Sequence, residues 1–176
     1  GNITGQEEES NCHTCSIGYF CEGGKSKIPC PQGKYNHRTG QNHSANCINC
    51  DIGYYCKGGK SKIPCPQGKY NELSRQASIT ACKDCMEGYF CLGLNNKIPC
   101  IAGRYGNITG QKDLPSACPN VCEPGKYSTM LGEQIESTCV HCPAGSYCTG
   151  IENTIDHTVQ GQTLCPMGKW GNISKA

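Results

Sequence analysis

The sequence predicts a small disulfide-rich fold, an elongated tandem array of cysteine-rich repeats with short β-ribbons, loops and little or no helix. Cys accounts for 18 of the 176 residues, whereas Leu, Ile, Val and Phe together number only 25. So few large aliphatic side chains cannot fill a globular core, and disulfides must take over its role. The string GGKSKIPCPQGKYN occurs at 23–36 and again at 58–71, an offset of 35 residues. Self-similarity at a fixed period indicates an array of stacked units.

The cysteine spacing divides the chain into repeats. A unit of the form Cys-x2-Cys-x5-Cys-x8-Cys, whose positions we call first to fourth, begins at Cys12, Cys47 and Cys82. The following repeat lacks the middle pair, since only three residues separate Cys118 from Cys122. We therefore predict the tail of an earlier repeat, three full repeats, a short repeat and an incomplete one, at residues 1–11, 12–46, 47–81, 82–117, 118–138 and 139–176.

Two aromatic motifs recur in the repeats. Cys-x-x-Gly-Lys/Arg-Tyr occurs at Cys30, Cys65, Cys100 and Cys122, and Trp170 takes the Tyr position after Cys165. The glycine allows a positive-φ turn, and we expect the ring to lie on a disulfide. Paired aromatic residues precede the third cysteine at Tyr19-Phe20, Tyr54-Tyr55 and Tyr89-Phe90. Adjacent residues of an extended segment face opposite sides, so either one ring is exposed for contact between units or both pack locally.

Two disulfide schemes fit the spacing, and connectivity does not follow from sequence alone. The first joins the fourth cysteine to the first of the next repeat and the second to the third, giving Cys30–Cys47, Cys65–Cys82, Cys100–Cys118, Cys122–Cys139, Cys15–Cys21, Cys50–Cys56, Cys85–Cys91 and Cys142–Cys148. The second joins first to third and second to fourth, which requires Cys118 and Cys122 to pair across three residues. The short repeat favours the first scheme, because losing a bonded middle pair leaves every other bond intact.

The first scheme leaves Cys12 and Cys165 without partners. The string at 171–174, Gly-Asn-Ile-Ser, matches Gly-Asn-Ile-Thr at 1–4. When these strings are overlaid, Cys165 lies seventeen positions before Cys12, which is the spacing from Cys30 to Cys47. We therefore expect an open head-to-tail series with a junction disulfide, Cys165–Cys12, to a neighbouring copy of the chain or to flanking repeats of a longer chain.

Four sequons indicate N-linked glycans and a secretory route, at Asn2, Asn42, Asn107 and Asn172. Together with the dense cysteine, they predict an extracellular or cell-surface location. The net charge of +2 gives no electrostatic reason to bind nucleic acid or an anionic membrane surface. No apolar run approaches the roughly 18 residues of a membrane span, and without a leader before Gly1 we expect a processed chain or part of a longer one.

Chemistry at the cysteines and histidines is disfavoured. The Cys-x2-Cys pairs could hold zinc or act as redox motifs, but the sequons indicate oxidised sulfur, and the strand-then-helix setting of a reactive thiol is absent. No Ser or carboxylate recurs at a fixed spacing from His13, His37, His43, His141 and His157. We therefore expect no enzyme activity, no cofactor and no metal. Lys-Ser-Lys at 25–27 and 60–62 leaves open weak binding of acidic glycans.

Several strings resemble the ephrin-receptor-like cysteine-rich repeats, which are in turn similar to the cysteine-rich modules of tumour necrosis factor receptors. They are CPQGKY at 30–35 and 65–70, CEPGKYS at 122–128 and CPAGSYC at 142–148. The resemblance implies elongated, disulfide-laddered extracellular repeats that serve as spacers, adhesion surfaces or receptor ectodomains, without catalytic residues. The middle pair and Gly-Gly loop of the 35-residue repeats depart from that simpler pattern.

Two functions follow as expectations. The first is an extracellular glycosylated structural repeat protein, a segment of a filament, surface coat or appendage assembled head to tail. The alternative is the ectodomain of a cell-surface receptor or adhesion protein that binds a protein or glycan ligand. For that alternative, the short repeat and the atypical loop at 150–164 are the expected binding regions.

Overall fold

The computed structural model describes residues 12–24, 26–149 and 162–171. Within these ranges it contains eight antiparallel two-stranded ribbons and one four-residue helix, connected by turns. The predicted class, a small disulfide-rich fold of short β-ribbons and loops with little helix, is confirmed. Within the described ranges no helix is long and apolar enough to cross a membrane.

Contacts between Cα atoms divide the chain into two compact units. Unit 1 comprises Gly1–Cys65 and Asn71–Cys82, and unit 2 comprises Pro66–Tyr70 and Lys83–Ala176. We use the names of the predicted repeats for stretches of sequence only. Their two kinds of ribbon alternate along the chain within each unit.

The first kind of ribbon closes on itself inside one repeat. In three of the four, its first strand contains the paired aromatic residues and its second ends just before the fourth cysteine. The strands are β1 (Tyr19–Phe20) with β2 (Ile28–Pro29), β5 (Tyr54–Tyr55) with β6 (Ile63–Pro64), β9 (Tyr89–Gly93) with β10 (Asn96–Pro99), and β15 (Ser146–Cys148) with β16 (Gln162–Leu164).

The second kind of ribbon joins one repeat to the next. Its first strand is the Lys/Arg-Tyr of the motif, and its second lies between the first two cysteines of the following repeat. The pairs are β3 (Lys34–Tyr35) with β4 (Ile48–Asn49), β7 (Lys69–Tyr70) with β8 (Lys83–Asp84), β11 (Arg104–Tyr105) with β12 (Asn120–Val121), and β13 (Lys126–Tyr127) with β14 (Val140–His141).

A short helical turn leads into each first-position cysteine that follows a described loop. Three are 3-10 turns, at Ser44–Asn46, Ile79–Ala81 and Glu136–Thr138, and the fourth is helix α1, Leu114–Ala117. Asp113 caps α1, since its side chain accepts a hydrogen bond of 2.9 Å from the Ser116 N–H. Each turn ends at a first-position cysteine, and the second strand of a ribbon of the second kind begins within two residues of it. These cysteines are Cys47, Cys82, Cys118 and Cys139.

Cysteines make up most of the buried apolar residues. Of the 18 buried apolar residues in the described ranges, 13 are cysteines. The other five are Phe20, Tyr35, Tyr55, Tyr70 and Ala117. Aliphatic side chains such as Ile17 and Ile52 are more than 40% exposed. Disulfides with aromatic rings on them therefore replace an aliphatic core.

Eight disulfides connect the cysteines, and their pairs are those of the first scheme. They are Cys15–Cys21, Cys30–Cys47, Cys50–Cys56, Cys65–Cys82, Cys85–Cys91, Cys100–Cys118, Cys122–Cys139 and Cys142–Cys148. Cα–Cα separations of 5.6 to 5.9 Å are ordinary for disulfides. Cys12 and Cys165 are free thiols.

Candidate functional site

The most specific feature of the fold is the inter-repeat joint, which we define on residues 30–36 and 47–56. The Cys30–Cys47 disulfide links the two repeats, and β3 pairs with β4 beside it. Gly33 connects the same segments through both of its backbone groups. Its N–H donates to the Cys56 carbonyl (2.9 Å), and its carbonyl accepts from the Cys50 N–H (2.8 Å). One covalent bond and a cluster of backbone hydrogen bonds thus fix the next repeat.

The same hydrogen bonds recur in unit 2. Gly68 donates to the Cys91 carbonyl and accepts from the Cys85 N–H, both at 2.8 Å. Gly125 does the same with Cys148 (2.9 Å) and Cys142 (2.8 Å). The joint is therefore a repeated structural device, set by the position of one glycine after each fourth cysteine.

Aromatic rings cover the next repeat's middle disulfide at two of the joints. Tyr35 is 9% exposed and packs against Cys50 and Cys56 of the next repeat, with Tyr54 beside it. In unit 2, Tyr70 covers the Cys85–Cys91 pair, again with a partly buried tyrosine alongside. Tyr54 and Tyr89, each the first ring of its aromatic pair, are thus half-buried in joints, whereas the second ring of a pair, such as Phe20, covers a fourth-to-first disulfide.

A lysine lies over the rings of the joint. The Lys62 ammonium is 4.3 Å from the centroid of the Tyr54 ring and 5.9 Å from that of Tyr35. A hydrogen bond to the Asp51 carboxylate raises the pKa of Lys62 above its ordinary value. The equivalent Lys27 lies 4.7 Å from the Tyr19 ring centroid. Lys27 and Lys62, from the two predicted basic spots, therefore have cation–π partners within the protein.

Two buried asparagines hold the loop that follows each joint, and sequence analysis did not identify them. Asn36 is 1% exposed, and its amide donates to the carbonyls of Tyr19 and Arg38, both at 3.0 Å. Its side-chain oxygen accepts from the Arg38 N–H at 2.8 Å. Asn71 makes the equivalent three bonds. The available signal was the position of Asn as the last residue of the duplicated string.

The short repeat keeps two backbone hydrogen bonds of the loop that it lacks. In unit 1, Gly59 donates to the Cys30 carbonyl (3.1 Å) and accepts from the Asn36 N–H (2.9 Å). In unit 2, Gly132 donates to the Cys100 carbonyl (2.8 Å), and the Glu133 carbonyl accepts from Gly106 (3.2 Å). Residues 132–133 therefore substitute for the missing Gly-Gly loop.

The last described segment has the backbone of a joint, although its cysteine is unbonded. Cys165 donates to the Gly145 carbonyl at 2.9 Å, as Cys30 does to the Gly18 carbonyl at 2.9 Å. Cys12, at the other free position, is exposed. The two free thiols are thus one fourth-position and one first-position cysteine, the two kinds that form the disulfide of every joint.

The remaining predicted residues are exposed where they are described. Asn42 and Asn107 of the sequons lie on the surface, whereas Asn2 and Asn172 lie outside the described residues. The histidines at 13, 37, 43 and 141 are exposed, and that at 157 lies outside the described ranges. His43 accepts a hydrogen bond from the Ala45 N–H and so caps a 3-10 turn. Within the described ranges no three His, Cys, Asp or Glu side chains form a metal-binding group.

The sequence matches no protein-family model and no curated protein. The resemblance to ephrin-receptor-like repeats therefore stays a prediction. The eight disulfides indicate an extracellular, disulfide-rich protein, because such bonds form and persist in oxidising compartments.

Proposed function

We propose that the chain is a glycosylated structural protein of the cell exterior, and that its copies join head to tail in a filament, surface coat or appendage. The observation that carries this proposal is the identity of the two free cysteines. Every other cysteine of the chain is paired, and the two left over are the complementary members of a joint. A contact between unlike ends does not close on itself and so builds a linear series.

The covalent and hydrogen bonds of the joint support this role. Each joint carries a covalent cross-link and backbone hydrogen bonds that Gly33 and its equivalents repeat along the chain. Tension along such a series is borne by disulfides, and a sixteen-residue loop closed by one contributes about 3 kcal/mol in the chain-entropy model. The proposal assigns no catalytic activity and no cofactor to the chain.

Glycans have a place in the same proposal. Asn42 and Asn107 are exposed and belong to loops outside the ribbons. Glycans there would add bulky polar groups to the flanks and leave the inter-repeat joints uncovered. Enzymatic removal of N-glycans from the secreted chain is expected to lower its mass, and Asn42→Gln with Asn107→Gln is expected to remove the shift due to these two sites.

Electron microscopy of the secreted chain tests the proposed assembly. Under oxidising conditions we expect fibres whose axial repeat matches one chain, and dispersal of the fibres by a thiol reductant. The control is the same preparation with its free thiols alkylated before oxidation. Particles that remain single chains at high concentration in the oxidised, unblocked sample would contradict the proposal.

A receptor or adhesion ectodomain is the second candidate, and the short repeat supplies the observation that favours it. Met130, Leu131 and Ile135 are 63%, 61% and 54% exposed and line an open groove of about 340 Å³. An exposed apolar cluster suits a protein ligand, and the resemblance to receptor repeats supports this reading. Met130→Ser with Leu131→Ser is expected to abolish cell-surface binding by the soluble chain, with Met86→Ser, at an exposed site of another repeat, as the matched control.

A further inference from the structure

We infer that the junction between copies is a complete inter-repeat joint, in which residues 12–21 of a second copy dock on residues 165–171 as if they were the next repeat. Cys165 bonds to Cys12, the Lys169–Trp170 segment pairs with His13–Thr14, and the Trp170 ring covers the Cys15–Cys21 disulfide. This inference rests on the proposed head-to-tail function and deepens it by naming the partner surface. We call residues 165–171 the tail surface and residues 12–21 the head surface.

The tail surface already has the conformation of an occupied joint. Lys169 donates to the Pro166 carbonyl at 2.9 Å, as Lys34 donates to Pro31 at 3.1 Å. Gly145 donates to the Gly171 carbonyl at 3.1 Å, as Gly18 donates to Asn36 at 2.8 Å. The φ of Gly168 is +81°, close to the +78° of Gly33. No rearrangement is needed to accept the following repeat.

Some backbone groups of the tail surface have no backbone partner within the described residues. Gly33 donates to Cys56 and accepts from Cys50, whereas neither backbone group of Gly168 has a backbone partner in the described ranges. Lys169–Trp170 likewise has no paired strand there, although the equivalent β3 pairs with β4. An extended segment with such groups is suited to strand addition.

The head surface offers the complementary groups. Its loop is formed in the usual way, since Gly40 donates to the Cys15 carbonyl (2.8 Å) as Arg75 does to the Cys50 carbonyl (2.7 Å). The Cys15 N–H and the Cys21 carbonyl, which would bond to Gly168, have no backbone partner within the described ranges. Cys21 is also half-buried, whereas the equivalent Cys56 is 0% exposed beneath Tyr35.

Trp170 is the apolar anchor of the inferred junction. It is 82% exposed, while Tyr35 and Tyr70, in its position at two internal joints, are 9% and 7% exposed, and Tyr105 and Tyr127 at the other two are half-buried. The next repeat's middle disulfide lies against both of the most buried rings, Tyr35 and Tyr70. A second copy would cover Trp170 with Cys15–Cys21 and bury a large apolar area, which favours association. The junction thus repeats an interface that already exists inside the chain.

The covalent step is a thiol–disulfide exchange with a low-molecular-weight disulfide such as oxidised glutathione. The exposed Cys12 thiolate attacks that disulfide and releases one reduced thiol. The Cys165 thiolate of the other copy then attacks the Cys12 sulfur of the mixed disulfide and releases the second. Two protein thiols lose two electrons and two protons, and one external disulfide is reduced to two thiols.

Two single variants of the full secreted chain test the inference. Cys12→Ser keeps only the tail thiol and Cys165→Ser only the head thiol. In a buffer of oxidised and reduced glutathione, we expect each variant alone to stay monomeric and an equimolar mixture to give one dimer, with a Cys165–Cys12 peptide in the non-reducing digest. The unsubstituted chain is expected to give a ladder of multimers.

The chain's single Trp reports on the docking itself. When Cys165→Ser also carries Trp170→Phe, the only indole in the mixed dimer is at the inferred junction. We expect its emission to shift to the blue and to lose intensity relative to the Cys12→Ser monomer, because the ring leaves water and meets a disulfide. In the Cys12→Ser chain, Trp170→Ser is expected to slow dimer formation at least tenfold, with Leu73→Ala, at an exposed residue outside both surfaces, as control.

The outcomes separate the inference from the proposed function. Bonds of Cys12 to Cys12 or of Cys165 to Cys165, or a mixed dimer whose indole stays in water, overturn the inferred joint. If the mixture gives no dimer but the unsubstituted chain forms fibres, the joint is wrong and the structural function stands. If neither dimers nor fibres form, both are wrong.

Discussion

At the scale of single residues, a buried asparagine amide holds a loop in place through hydrogen bonds to the backbone. Asn71 is 2% exposed and satisfies the Tyr54 carbonyl and both backbone groups of Leu73. At the equivalent position of the short repeat, the Ser128 hydroxyl accepts a single such bond, from Met130. The position of Asn71 can therefore be occupied by a residue that makes fewer hydrogen bonds. We expect the stability of the loop to increase with the number of these bonds.

We predict that Asn71→Ala lowers the free energy of unfolding by about 2 kcal/mol, since it leaves buried backbone groups without partners. Asn71→Ser should lie between Ala and the unsubstituted chain, because its hydroxyl can accept from Leu73 as Ser128 does from Met130. Denaturant titrations of the oxidised chain measure the series, with the exposed Asn95→Ala as control. Equal stabilities for the Ala and Ser variants would contradict this account.

Arg75 is strained at a position where other repeats have glycine. Its φ is +60°, and the equivalent Gly40 and Gly110 have +68° and +72°. We predict that Arg75→Gly raises the free energy of unfolding by about 0.5 kcal/mol, because relief of the left-handed conformation outweighs the backbone entropy of glycine. Arg38→Gly, at a residue without positive φ, should lower it by a similar amount. A loss of stability in both variants would show that φ is not the deciding factor.

At the scale of elements, the joints depend on close approach of backbones. A Cβ added to Gly88 would lie 2.2 Å from the Gly132 carbonyl oxygen, whereas one added to Gly125 would meet nothing within 4 Å. Both glycines have positive φ, +74° and +87°. The pair therefore separates conformational strain, which the two sites share, from a steric clash, which only Gly88 has.

We predict that Gly125→Ala lowers the free energy of unfolding by about 1 kcal/mol. Gly88→Ala should lower it by about 2 kcal/mol more, since the clash must push residues 132–133 of the short repeat away from Gly88. Thermal and denaturant unfolding of the oxidised variants provide the values. Hydrogen exchange at Gly106, which donates to Glu133, should rise in Gly88→Ala alone. Indistinguishable variants would mean that this loop does not support the joint.

Some features of the ribbons and loops could be predicted from the sequence, and others could not. Cysteine spacing predicted ribbons and favoured one of two pairing schemes, because the jump from Cys118 to Cys122 removes one bonded pair. It could not show that residues 132–133 replace the absent Gly-Gly loop, since that depends on which distant carbonyl each N–H meets. Nor could it show that Lys62 lies over two rings, because cation–π contacts across a joint leave no local pattern.

At the scale of the whole molecule, composition predicted the class because it reflects a global balance. With 25 large aliphatic and phenylalanine residues in 176, disulfides had to supply most of the buried apolar groups, and 13 of the 18 buried apolar residues in the described ranges are cysteines. The complementarity of the head and tail surfaces needed the structure, since it rests on Trp170 having the exposure of an uncovered Tyr35. The fold class was therefore predictable from composition, whereas the complementarity of the two surfaces was not.

The same balance predicts that reduction unfolds the chain without any denaturant. Each disulfide loop contributes about 2 to 3 kcal/mol in the chain-entropy model, so the loss of eight exceeds the roughly 5 to 15 kcal/mol by which domains are stable. Reduced thiols are also poorer partners for the rings that now pack on them. We expect excess phosphine reductant at pH 7 to expand the hydrodynamic radius and to make all 18 thiols open to alkylation. Alkylation without reductant, the matched control, should modify only Cys12 and Cys165 and leave the fold intact. A fully reduced chain that stays compact and resists proteolysis would show that sulfur is not the core of this protein.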